Sequence, residues 1–396
     1  MKNKLSDRIN NLPVSATLAM AAKARELKNN GIDIIGLSLG EPDFNTPDFI
    51  KNAAIQAVND NYNSYTPVDG YSELKQSICN KFKRDNGLNY QPSQIVVSNG
   101  AKQSIANLVQ VLVNPGDDVL LVAPYWVSYS AIVTLAEGNP IEIRSDISSD
   151  FKITPLQLEN AITKRTKLVV INSPNNPSGS IYTEKEYLAL AKVLEKYPEI
   201  YILSDEIYEH INYGIPHFSF AKITSMYNRT ITVNGVAKAF AMTGWRIGYL
   251  GAPNWIAKAC TKMQGQITSG ANCIAQRATI AALDAPVSEI QYMIDEFKER
   301  RGLIIELLGG IEGIKLNQPK GAFYIFPDIS SFFGKTLKGK KINNASEFAI
   351  YLLEEAHVAT VTGDAFGSPN NIRISYAASK EEIKKAIARI SKALAD

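Results

Sequence analysis

The chain has 396 residues, 45% of them hydrophobic and 20% charged, with a net charge of +3. That length favours two domains over one, and the composition is that of an ordinary globular protein. So small a charge argues against nucleic acid or a membrane surface as partner. Cys79, Cys260 and Cys273, with only three histidines, show neither disulfide nor metal spacing, so reduced thiols and no metal are expected.

The opening run from Met1 to Arg8 lacks the apolar stretch and cleavage site of a secretory signal. No segment is long and apolar enough to cross a bilayer. With the unpaired cysteines, this makes a cytoplasmic protein the expectation. Ser15 to Asn30, ended by Gly31, reads as an amphipathic helix with a cap at each end. From about Asp48 to Pro253, β-branched runs alternate with helical patterns. The expected strands are Gln94 to Val97, Asp118 to Val122, Ile141 to Arg144, Lys167 to Ile171, Tyr201 to Leu203, Thr230 to Val233 and Ile247 to Leu250. The helical segments between several of them point to a mostly parallel sheet flanked by helices. The short link before the last strand makes that one an antiparallel candidate.

A long helical region, about Asn254 to Leu308, leads away from this sheet. Ala322 to Phe326 and Ile372 to Ser375 follow as strands, and Lys380 to Ala393 as a final helix, which together suggest a smaller α/β domain. Two glycine-rich stretches are decoys. Gly334 to Lys341 has P-loop spacing but Lys341 where Ser or Thr is required, and Leu308 to Gly313 lacks the dinucleotide spacing and follows a helix.

The richest stretch runs from Asn234 to Tyr249. It sets Lys238 after a strand and Arg246 eight residues further on. A lysine amine forms a Schiff base with an aldehyde, and arginine is the preferred partner of a phosphate. Pyridoxal 5′-phosphate carries both groups and also needs an acid at its ring nitrogen. Asp205 ends an apolar strand, with Tyr208 three residues on. Taken singly, Lys238 is a solvated charge, Asp205 a cap and Arg246 an ion-pair partner; in this order they make a cofactor site. Ser98, Asn172, Asp205 and Asn234 fall at or just after strand ends, where open α/β sheets bind ligands. Gly100-Ala101-Lys102 opens a helix after a strand, so its amides favour an anion.

These segments resemble the class I aminotransferases of the pyridoxal-phosphate fold type I group, and within them the bacterial aspartate aminotransferases of the prokaryotic subgroup. Gly40-Glu41-Pro42-Asp43-Phe44, Pro124-Tyr125-Trp126, Asn172 to Gly179 and Asn371 to Tyr376 carry the likeness with the Asp205 and Lys238 segments. The resemblance implies a segment 1–47 packed on the small domain, a large cofactor-binding domain 48–290 and a small domain 291–396. It implies transfer of the amino group of L-aspartate to 2-oxoglutarate in a ping-pong cycle through the pyridoxamine form.

It also assigns roles. Lys238 would hold the cofactor and move the proton, and Asp205 would pair with the ring nitrogen. Tyr208 and Asn176 would bind the phenolic oxygen, and Trp126 would stack on the ring, although a core tryptophan explains that residue as well. Arg246 and the Gly100-Ala101-Lys102 turn would hold the phosphate, joined by Tyr65 of a second subunit in a homodimer with shared sites. Arg373 and the Gly40 amide would bind the substrate α-carboxylate. Lys102, Ser15 and Thr17 would meet a distal carboxylate, since Met263 to Gln276 has no basic residue. Many relatives carry serine at the positions of Gly235 and Ala237, so one or two phosphate contacts are expected to be missing. Other acceptors, such as prephenate or aromatic 2-oxo acids, and a carbon–sulfur lyase on the same fold remain open.

Overall fold

Alternation along single strands sets the architecture. Leu168 and Val170 turn to one side of a central sheet, Val169 and Ile171 to the other, and all four are buried in separate apolar clusters. Strands covered on both faces read as unbroken apolar runs, which is how these appear in the sequence. The computed structural model describes residues 5–395; Met1 to Lys4, the start of the N-terminal segment, and Asp396 lie outside the described residues.

The sheet has seven strands. In spatial order they are Ile95–Ser98, Gly248–Gly251, Thr230–Gly235, Tyr201–Asp205, Thr166–Asn172, Asp118–Ala123 and Asn139–Arg144. The last five named pair in parallel, and Gly248–Gly251 runs antiparallel to both of its neighbours. The antiparallel member is therefore the one its short link suggested. Helices Ala101–Leu112 and Asn254–Ile267 cover one face, with Ile105, Leu108, Ile256 and Cys260 buried against it. Helix Glu184–Leu194 covers part of the other through Leu190 and Leu194.

The long helical region resolves into three helices, Asn254–Ile267, Cys273–Asp284 and Gln291–Gly309. The breaks fall around Gly270 and at Ala285-Pro286, as expected of residues that leave or cannot continue a helix. Beyond them, Tyr324–Ile325, Val361–Thr362 and Ile372–Ser375 form a small antiparallel sheet. Its core joins Phe297, Ile304, Phe348, Leu352 and Ile387 to Ile207, Tyr208 and Ile211 from the turn after Asp205.

The N-terminal helix spans Ala16–Asn29. Ser15 stands at its cap position, but the hydroxyl makes no capping bond, which corrects the expectation of a cap at both ends. At the other end the Asn30 amide bonds back to Glu26 and Leu27, and Gly31 follows at φ 85°. The chain then adds the strand Ile35–Gly36 in parallel to Val358–Ala359.

Candidate active site

Strand ends build the site. Asp205 and Asn172 are the last residues of adjacent parallel strands, and Lys238 lies three residues beyond the next strand over. The Asn172 side chain fixes two loops: it donates to the Asp205 carbonyl at 2.9 Å and accepts from the Asn176 amide at 2.8 Å. These residues open on a cavity of about 330 Å³. Ser15, Thr17, Gly40, Gly100, Ala101, Lys102, Trp126, Asn176, Asp205, Tyr208, Lys238, Arg246 and Arg373 all line it. Tyr65 does not; its side chain is fully exposed on the single chain.

Lys238 Nζ donates to the Gly40 carbonyl at 2.6 Å. Burial lowers its pKa to about 8, helped by the nearby Arg373 charge. Asp205 is buried, which raises its carboxyl to about 6 against the pull of its hydrogen bonds. Those bonds come from the Tyr129 hydroxyl at 2.5 Å and the Ile207 amide at 3.2 Å. Tyr208 shares a 2.8 Å hydrogen bond with the Tyr324 hydroxyl, and burial first, then Tyr324, pushes its pKa well above the usual value.

Arg373 is 2% exposed. Its guanidinium donates to Asn176 Oδ1 at 3.0 Å and to the Ser38 carbonyl at 2.5 Å, and it lies 4.7 Å from the Tyr324 ring centre. Its Nε is buried without a partner. A buried donor left unpaired is costly, so this arginine is built to receive something.

Arg246 has left-handed backbone, φ 60°, which turns its guanidinium toward the Gly100 turn. It donates to the Thr243 carbonyl at 3.0 Å and the Asn99 carbonyl at 3.3 Å. A Cβ on Gly100 would run into that guanidinium, and Gly100 also has φ 85°, so glycine is required there. A cation and a helix start thus meet at one corner of the cavity. Lys102 Nζ lies 4.9 Å from the Trp126 ring centre, and burial followed by Arg246 lowers its pKa. Thr17 Oγ1 is buried without a partner. A Cβ added at Gly235 would stand 3.0 Å from the Gly248 Cα and from the Ile247 carbonyl, so a side chain there would press on the adjoining strand.

Sequence reasoning missed Tyr129, which holds Asp205, and Tyr324, which holds Tyr208. Tyr129 lies three residues after Trp126, and its ring stands edge-on to that indole at 5.4 Å. Tyr324 sits inside an apolar strand and gave no signal of its own. Thr243 also lines the cavity and donates to the Glu41 carboxylate, joining the Lys238 loop to the Gly40-Glu41 segment.

The lined residues offer an amine, a buried acid, an anion corner and an unfilled arginine. They fit a phosphorylated pyridine aldehyde together with a carboxylate-bearing amine. A family model for aminotransferases of class I and II matches residues 32–390. The bifunctional aspartate aminotransferase and glutamate/aspartate-prephenate aminotransferase of Petunia hybrida is 46% identical over 395 residues, 98% of this chain and 82% of that one. The aspartate/prephenate aminotransferase of Cereibacter sphaeroides is 46% identical over 389 residues, 98% of this chain and 97% of that one. A crystal structure of the Rhizobium meliloti aspartate aminotransferase superposes with TM-score 0.96 at 44% identity, covering 99% of each chain. One of the Thermus thermophilus aspartate aminotransferase with maleate gives 0.93 at 39%, covering 99% of this chain and all of the other. The chain belongs to the class I and II aminotransferases, enzymes that work with pyridoxal 5′-phosphate.

Proposed function

We propose that the protein transfers the amino group of L-aspartate to 2-oxoglutarate in a ping-pong cycle. One observation carries the reading: a single cavity gathers a buried amine whose pKa burial lowers to about 8, a buried carboxyl and two arginines, Arg246 and Arg373. When bound, the cofactor supplies an aldehyde for amines and a ring that draws electrons from the carbon beside the amine.

The chain does the rest. Lys238 would hold the cofactor, and its amine would carry the proton to and from the substrate α-carbon. Its lowered pKa keeps a fraction neutral at physiological pH, as a base requires. Asp205 holds the proton on the ring nitrogen, and Tyr129 and Ile207 aim it. Tyr208 and Asn176 bind the phenolic oxygen, and Trp126 covers the ring. Arg246 and the amides of Gly100, Ala101 and Lys102 hold the phosphate. Arg373 binds the α-carboxylate, with the Gly40 amide beside it. Lys102, Ser15 and Thr17 take the distal carboxylate; the unpaired Thr17 hydroxyl supports this.

The protein acts as a cytoplasmic homodimer in which the exposed Tyr65 completes the partner's phosphate site. The segment 1–47 belongs with a small domain 291–396, and residues 48–290 make the large domain. The pairing of Ile35 with Val358 supports that grouping. Prephenate is a second acceptor to consider, because the Petunia and Cereibacter relatives are named for it.

The test uses protein loaded with cofactor and then converted by excess L-aspartate. A panel of 2-oxo acids is added, and return of the visible absorbance is followed. Recovery with 2-oxoglutarate is expected, and recovery with prephenate would extend the range. No conversion by L-aspartate would refute the function.

A further inference from the structure

Tyr65 is fully exposed, yet the loop that carries it is tied down from Thr66 to Tyr71. Two glutamines do most of this, and both are fully buried. Gln276, in helix Cys273–Asp284, accepts from the Tyr71 amide at 2.9 Å. Its own amide group donates to Thr66 Oγ1 at 3.2 Å and to the Ala271 carbonyl at 2.8 Å. Gln264, in helix Asn254–Ile267, accepts from Asn107 at 3.0 Å and donates to the Val68 carbonyl at 2.6 Å and the Val97 carbonyl at 2.8 Å. Between these anchors the Asp69 carbonyl accepts from the Val97 amide at 3.1 Å. Gly70, at φ 98°, lets the loop turn so tightly: a Cβ there would run into Val97. A buried amide left unpaired is costly, so a side chain whose donors and acceptor are all engaged fixes the geometry of what it touches.

We propose that Gln276 is a positioning residue for Tyr65: it holds the loop so that the phenol is presented, already ordered, to the phosphate bound by the neighbouring subunit. The inference rests on the shared-site reading of Tyr65. Three features carry it. Gln276 grips the loop on both sides of its turn, at Thr66, the residue after Tyr65, and at Tyr71, where helix Ser72–Lys81 begins. The Tyr65 side chain is fully exposed, so its place is set through the backbone behind it. Gln276 does not line the cavity of its own chain, so it has no direct part in that site. A loop ordered in advance spares the complex the entropy of ordering it, and a displacement of about 1 Å is enough to lose a well-aimed contact.

Gln276→Leu keeps the bulk of the side chain and removes all of its hydrogen bonds. Cofactor affinity is read as the fraction of Lys238 fixed by borohydride at increasing pyridoxal phosphate, measured on that peptide by mass spectrometry, which needs no turnover. In the Gln276→Leu homodimer the half-saturating concentration should rise about tenfold or more, as for the loss of a hydrogen bond to a charged group. The deciding sample is a doubly tagged heterodimer of Gln276→Leu and Lys238→Ala subunits. Its one Lys238 lies on the Gln276→Leu chain, but the Tyr65 that reaches that cofactor comes from the subunit with the intact loop. Affinity should therefore return to the wild-type value. A residue serving only its own subunit's fold or site would leave the heterodimer as weak as the homodimer. That result, or wild-type affinity in the homodimer, overturns the proposal. If Gln276→Leu does not fold, Thr66→Val, which removes only the hydroxyl that Gln276 holds, takes its place with the same outcomes deciding. Tyr65→Phe paired in the same way checks the underlying reading. No rescue of Tyr65→Phe refutes the shared site and the proposal with it; rescue of Tyr65→Phe without rescue of Gln276→Leu overturns the proposal alone.

Discussion

Replacing Asp205 with asparagine should make the cofactor-free protein more stable and the enzyme nearly inactive. Burial raises this carboxyl from 3.8 to about 6. Between those values the folded chain binds a proton that the unfolded chain lacks, so rising pH works against the fold. The cost is absent below 3.8 and complete above about 6. At about 1.4 kcal/mol per pH unit, it reaches about 3 kcal/mol. Asparagine never ionises and keeps an oxygen for the Ile207 amide, while the Tyr129 hydroxyl is free to turn. Urea unfolding of both apo-proteins, followed by tryptophan fluorescence, should show Asp205→Asn ahead by about 3 kcal/mol at about pH 7.5. The gap should close as the pH falls through the range from about 6 to 3.8. In the loaded enzyme the same change removes a charge-assisted hydrogen bond worth about 2–3 kcal/mol, roughly a hundredfold in kcat/KM. A variant no more stable than wild type at about pH 7.5, or an advantage that does not vary with pH, would refute the reasoning.

Cofactor capture by apo-protein needs a neutral Lys238, so its rate should rise with pH, with a midpoint at about 8, and then level off; stopped-flow absorbance checks this. Lys238→Ala should not retain cofactor after borohydride treatment and should lose nearly all turnover, seen by mass spectrometry and steady-state assay. Lys102→Ala should lower kcat/KM for aspartate and glutamate by ~2–5 kcal/mol and far less for a neutral amino acid, whereas Arg373→Ala should lower all of them. Equal losses in Lys102→Ala would return that lysine to the cofactor or the fold. Mixing Tyr65→Phe subunits with Lys238→Ala subunits should restore activity, because one of the two shared sites in a heterodimer then carries neither change; no recovery argues against shared sites.

The sheet was legible because its strands are buried on both faces, and unbroken runs such as Leu168 to Ile171 need no partner to be recognised. The same logic exposed the site: Asp205 and Asn172 interrupt apolar runs at their carboxyl ends. Contacts that depend on distant segments were not legible. Tyr324 looks like core until its hydroxyl meets Tyr208 across 116 positions of sequence. Ser15 has the right residue type for a cap, but its hydroxyl goes unused as one, because residue type fixes what a side chain offers and tertiary position decides what it meets. The strand Ile35–Gly36 is two residues long, too short for any pattern to announce it.

The antiparallel strand has a consequence for the order in which the protein is made. Ile95–Ser98, at the sheet edge, pairs with Gly248–Gly251 and with no other strand among the described residues. On a ribosome that edge has to wait for about 150 further residues to emerge before it can dock. Helix Ala101–Leu112 carries Ile105, Leu108 and Leu112, whose cover includes Leu250 and Ile256, so it waits as well. The corner holding Gly100 and Arg246 is thus closed late, by segments far apart in sequence that become neighbours at one edge of the large sheet. Non-local closure of this kind slows folding. A nascent chain halted before Gly248 should therefore leave this helix open to protease while the strands from Asp118 to Asp205 are already protected.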